Sequence, residues 1–266
     1  MIYDLQKASL LKRISAFLFD FVLIMVVFTG LMFLISAITG YDNYSQGLED
    51  RLISIQEKHS ITEIEEKHKI TFNEFQYMLE DERAKLPTEV QEAFSACNAE
   101  MNNDTEAIRL YEIIMSLSLM NVSLSMLISF LLLEFAVPLI FKNGQTLGKK
   151  IFSIAVMQID GVRIPTKVLF IRTILGKYTI GTMVPVLMLL SLMFGSTPII
   201  PIVIILAILL LQVIMLITSK TNALIHDSLA STVVVDFQSQ MIFDSPEAKE
   251  EYRLRIHQEE VAKAEY

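Results

Sequence analysis

The chain has 266 residues, 53% of them apolar, with a mean hydropathy of +0.48 and a formal net charge of −8. That balance lies above the range of soluble globular domains and excludes a soluble enzyme as the leading class. A single cysteine, Cys97, excludes an intrachain disulfide. The four histidines, His59, His68, His226 and His257, are too scattered for a metal cluster or a nucleophile-base pair. No metal, cofactor, enzymatic activity or nucleic-acid partner is expected.

The apolar residues gather in four runs, 14–38, 113–141, 178–194 and 198–218. Hydrocarbon about 30 Å thick is crossed by roughly 17 to 25 helical residues, so each run predicts a transmembrane helix. The expected fold class is an all-α polytopic membrane protein with four such helices. The first segment, 1–40, has a cytoplasmic N-terminus marked by Lys7, Lys12 and Arg13. Its apolar stretch is too long for a cleaved signal peptide, and Thr39-Gly40-Tyr41 offers no small-x-small cleavage site. Arg13 and Asp20 are seven residues apart, close to two helical turns, so they share a face with Cα atoms about 10 Å apart. Either Arg13 reaches toward Asp20, or it anchors the helix while Asp20 partners another one.

Residues 41–110 form an acidic insert with clusters at Glu49-Asp50, Glu65-Glu66 and Glu80-Asp81-Glu82, and face the extracytoplasmic side. Leu52, Ile55, Ile61, Ile64, Phe72, Phe75, Met78 and Leu79 recur at roughly helical spacing, which predicts two to four short helices with an apolar seam. Thr88 is expected as an N-cap with Gln91 at the capping-box position.

Residues 111–237 hold the remaining spans. Glu134 sits one turn before Pro138, which frees a backbone carbonyl near residue 134 and makes a locally irregular, polar patch. Such a carboxylate can exchange a proton or hold a small cation, or simply hydrogen-bond across helices. Gly144-Gln145-Thr146-Leu147-Gly148-Lys149-Lys150 then lets the chain turn and approach closely. It is not a nucleotide loop, because three residues rather than four separate its glycines and a membrane helix precedes it. Lys149, Lys150, Arg163, Lys167 and Arg172 against Asp160 alone make 142–177 cytoplasmic. Asp160-Gly161 among β-branched residues predicts a small β-hairpin, with 231–237 adding a third strand. Asp227, between the last span and that strand, is expected to be solvated or to cap a helix. In the charged tail, 238–266, Asp244-Ser245-Pro246-Glu247 starts a cytoplasmic helix.

Together these residues resemble the RDD family of bacterial membrane proteins, named for an arginine and two aspartates. Arg13 and Asp20 match the arginine and aspartate of its first helix. Gly144, Gln145, Thr146, Gly148 and Lys149 match its loop, and His226-Asp227-Ser228-Leu229-Ala230-Ser231-Thr232 matches the segment of its second aspartate. Ser231 stands where glycine is more usual. The resemblance covers 1–40 and 113–237 and implies a multi-pass protein of the bacterial plasma membrane with both termini cytoplasmic. It further implies transport of a small solute or cation, of Na+/H+ exchange type, with Arg13, Asp20, Glu134 and Asp227 as ion-binding candidates. The partners expected are the lipid bilayer, a small cation or proton and a second copy of the chain. A non-transporting scaffold that binds another protein through its insert is the other reading.

Overall fold

The structure is a computed structural model describing residues 5–193, 199–219 and 221–264. Helix α1 (Leu10–Thr39) opens the chain, and α2 (Tyr41–Lys58), α3 (Ile61–His68), α4 (Phe72–Tyr77), α5 (Glu80–Arg83) and α6 (Thr88–Asn103) build the insert. Helix α7 (Thr105–Phe130) runs through a π-turn (Leu131–Ala136) into α8 (Val137–Phe141), followed by α9 (Leu147–Ile151) and strand β1 (Ile154–Gln158). Helix α10 (Thr166–Phe170) enters a second π-turn (Ile171–Tyr178) and continues as α11 (Thr179–Met193). Helices α12 (Ile199–Thr218) and α13 (Ile225–Leu229), strand β2 (Thr232–Asp236) and α14 (Pro246–Ala264) complete the chain.

Among the described residues three helices are long and apolar enough to cross a bilayer: α1, the 37-residue helix from Thr105 to Phe141, and α12. Their side chains are largely uncovered by protein; Leu11, Phe33, Ile38, Ile200 and Ile217 are all more than 70% exposed. Apolar surface on that scale is incompatible with water and fits hydrocarbon. Of the four expected spans, the third run contains α11, whose 15 residues alone fall short of the roughly 17 a crossing needs. Positions 194 and 198, the inner ends of the last two runs, lie outside the described residues.

Packing divides the chain into two compact units, Met32–Val122 and Met1–Leu31 with Ser123–Tyr266. In the first, the apolar seam closes on itself: Ile55, Ile61, Ile64, Phe72, Phe75, Val90, Phe94 and Cys97 are all buried together. Leu79, expected in that seam, is exposed. Five helices form where two to four were expected. The capping box lies at Thr71, whose hydroxyl accepts from Glu74 N while Glu74 accepts from Thr71 N. Thr88 is already inside α6, because Pro87 with ψ 140° takes the cap position; Gln91 instead donates its side-chain amide to Leu86 O at 2.7 Å. Arg51 grips Asp104 at 3.0 and 2.5 Å, and Asp104 in turn accepts from Ala107 N at the start of α7. The Arg51 hydrogen bonds, helped by Ala107, hold the Asp104 carboxyl down at about 2.

In the second unit, β1 and β2 pair antiparallel with Val156 opposite Val234. The expected hairpin is corrected by this ladder. Gly161, at φ +89°, does close a tight turn with Gly161 N donating to Gln158 O. The returning chain then makes a single bridge to β1, Met157 to Arg163, before Pro165, which has no N–H to continue the ladder, leads into α10. The sheet therefore has two strands instead of three, and Lys7 bridges to Val235 beside it. Alternate strand residues face opposite ways: Ile154, Val156 and Val234 pack with Ala8, Ala16, Ile164 and Leu169, while Ala155, Met157, Val233 and Val235 form a second cluster. Helix α14 starts as its sequence indicated, with Ser245 Oγ accepting from Ala248 N.

Phe94 is fully buried and meets Phe72 and Phe75 edge-to-face at 5.5 and 5.3 Å. Phe94→Ala is expected to cost the insert about 3–5 kcal/mol. Limited proteolysis should then cut within 41–110 at a temperature where the parent chain resists.

Candidate functional site

Asp20 lies on α1, nearly three turns inside its start, and is buried. The loop after α8 reaches it directly. Thr146 caps α9 and donates its hydroxyl to Asp20 Oδ2, while Gly148 N donates to Asp20 Oδ1 at 2.7 Å. A Cβ on Gly148 would fall 2.4 Å from Ala16 O and 2.9 Å from Asp20 Cγ, so only glycine brings this backbone onto the helix. Gly144 turns the chain at φ +60°, and Gln145 ties the loop to β1 through Ile154 O at 2.9 Å.

Arg13 does not pair with Asp20. Its guanidinium donates to Asn222 O at 2.6 Å and to Asp227 Oδ2 at 3.3 Å. Asp227 is neither solvated nor a simple cap: it is 1% exposed, and Arg172 grips its Oδ1 through Nε at 3.0 Å and Nη2 at 2.6 Å. Leu224 N supplies a further bond to Oδ2. Burial alone would raise this carboxyl, but Arg172, His226 and Arg13 outweigh it and hold it well below the usual carboxylate range. Next to it, burial pushes the His226 imidazole down to about 3 against the pull of Asp227. Gly176 lets α13 lie close, since a Cβ there would meet His226 Cβ at 2.6 Å.

Glu134 occupies the first π-turn, as the freed carbonyl before Pro138 foreshadowed: Glu134 O accepts from Thr173 Oγ1 at 3.1 Å. Its carboxylate takes Lys177 Nζ at 2.6 Å, and Lys149 Nζ faces it at 4.0 Å, with no hydrogen bond among the described residues. Burial, reinforced by Lys177, pushes the Lys149 ammonium down to about 7. Arg172, Thr173 and Lys177 all belong to the second π-turn. Because a π-turn closes over five residues, Arg172 and Lys177 return to one side and address Asp227 and Glu134 together.

Arg172 and Lys177 read in sequence as two more cytoplasmic charges. The signal that could have found them is their five-residue spacing just ahead of an apolar helix, around a threonine able to cap a carbonyl. A cavity of about 430 Å³ adjoins the cluster. Asp20, Glu134, Lys177, His226 and Gln212 line its polar part, and Phe17, Phe21, Met126, Phe130, Ile205 and Leu209 contribute apolar wall. Among the described residues no group of three or more His, Cys, Asp or Glu is placed to hold a metal ion.

Apolar spanning helices joined by buried ion pairs define a helical membrane protein. Residues 101–231 match the model of the RDD family, and the chain is an RDD domain-containing protein. The matched segment contains Glu134, the glycine loop and Asp227; Arg13 and Asp20 precede it, and the fold brings both onto it. No curated protein and no solved structure matches the chain.

Arg172→Met leaves a buried carboxylate with its better partner gone, and is expected to destabilise the folded state by about 3–5 kcal/mol. Thermal unfolding in detergent checks this, and adding Asp227→Asn should recover part of the loss. A second expectation concerns acid. The unfolded chain protonates His226 near pH 6.5 whereas the folded chain resists to about 3, so stability falls as pH drops below about 6.5. His226→Asn should flatten that slope between pH 6.5 and 4.5 in the same assay.

Proposed function

We propose that this chain is a multi-pass transporter of the bacterial plasma membrane that exchanges a small cation against protons at Glu134. The observation that carries the reading is that Asp20, Glu134, Lys177 and His226 border one cavity with otherwise mainly apolar walls, beside membrane-length helices. Asp20 and Asp227 have both oxygens occupied by protein donors, so they hold the framework. Glu134 differs. Its partner is a lysine on a flexible stem that itself borders the cavity, so a proton or cation can replace that partner and be replaced by it. A site that holds one of two ions at a time couples their movements in opposite directions.

Four crossings with both termini cytoplasmic complete the proposal. The bridge from Lys7 to Val235 supports it, because residues flanking the first and last spans then share one side and the crossings between them are even in number. α11 supplies the fourth, and the lysines and arginines of 142–177 mark that side as cytoplasmic. So few helices make a narrow pathway, which favours a homo-oligomer. The second reading is a scaffold without transport or catalysis, favoured by the full pairing of Asp20 and Asp227.

Purified protein in liposomes, tested under sodium, potassium and proton gradients, should show proton-coupled cation flux that Glu134→Gln abolishes. Full flux in that variant overturns the assignment to Glu134, and no flux in the parent chain selects the scaffold.

A further inference from the structure

The long helix from Thr105 to Phe141 carries polar residues that the apolar spacing of a membrane span does not explain. Asn121, Ser125 and Ser129 recur every four residues and therefore share one face. All three are buried, at 3%, 0% and 0% exposure. Ser129 donates to Ser125 O, a local bond that satisfies its own hydroxyl. Among the described residues, Asn121 Oδ1 and Ser125 Oγ have no hydrogen-bond partner. A buried polar atom left in that state costs about 1–3 kcal/mol, so two of them on one face call for a polar companion.

The next residue on this face is Glu134. Five residues separate it from Ser129 instead of four, and the π-turn at Leu131–Ala136 closes one turn over five, so the face continues to the carboxylate unbroken. From Ser125 to Glu134 the column rises about 14 Å, roughly half of a hydrocarbon core. At its end stand the cations that face Glu134, namely Lys177 at 2.6 Å and Lys149 at 4.0 Å, with Arg172 beyond them.

We infer that the Ser125–Ser129 face binds a file of water molecules leading to the Glu134 carboxylate. Water is the companion of the right chemistry, since it both donates and accepts and fits groups that are small and closely spaced. A proton can travel such a file, so the inference, which rests on the exchange proposed for Glu134, gives protons a route to that carboxylate along this face.

Silver ions, which enter water-filled paths and bind thiolate, test the column. Ser125→Cys and Ser129→Cys are each made in a full-length Cys97→Ala background, with Leu124→Cys, partly exposed on the apolar surface of the same helix, as the dry control. Both column thiols should be lost to silver, read by maleimide mass-tagging after denaturation, while the Leu124→Cys thiol survives. Survival of both column thiols alongside the control overturns the inference. Either position decides should the other fail to fold. Because the readout needs no flux, a chain that moves no ion still reports whether this face is wet. A transporting chain with a dry face would retain the Glu134 reading and lose only the water file.

Discussion

A carboxylate taken out of water must find charge and hydrogen bonds inside the protein, and Asp227 is where this chain meets that demand most completely. Arg172 holds one oxygen through two nitrogens, and Arg13 and Leu224 N hold the other. Three stretches far apart in sequence, the start of α1, the second π-turn and α13, are thereby fixed to one point. Removing Asp227 takes the buried acid from both arginines, and removing either arginine leaves the carboxylate with fewer donors, so losing any one of the three weakens the junction.

The same logic, applied to backbone instead of side chains, positions Asp20. Two donors of the 144–149 loop satisfy it, one of them a main-chain N–H that only a glycine can bring so near. Asp20 and Asp227 meet protein donors on both oxygens, whereas Glu134 meets the side chain of Lys177, and that pair borders the cavity. What separates the three acids is how many fixed donors each one meets.

Sequence disclosed the features that depend on composition or on local rules. The long apolar runs, the seam of the insert, the irregularity before Pro138 and the start of α14 at Ser245 all follow from neighbours within a turn or two. What escaped depends on distant partners. Arg13 and Asp20 share a helical face, which suggested a pair, yet each finds a better partner more than a hundred residues away. The Asp160–Gly161 turn forms, but its returning arm yields the ladder to β2, because strand pairing is settled by which edge is available and not by turn chemistry alone. Arg172 and Lys177 were hidden by π geometry, since a search at helical spacing of three or four passes over residues five apart.

The two π-turns also fix the phase of the helices that carry them. Each amounts to one residue wound in beyond what an α-helix would hold, so excising a single residue from Leu131–Ala136 would let that stretch relax to ordinary winding. The serines and the glutamate would still share a face, because four residues of α-helix return to the same side as five of a π-turn. A residue excised from the regular α-helical stretch before it would instead turn the two ends about 100° apart. Tolerance to deletion in this helix therefore depends on whether the lost residue comes from the π-turn or from its flank.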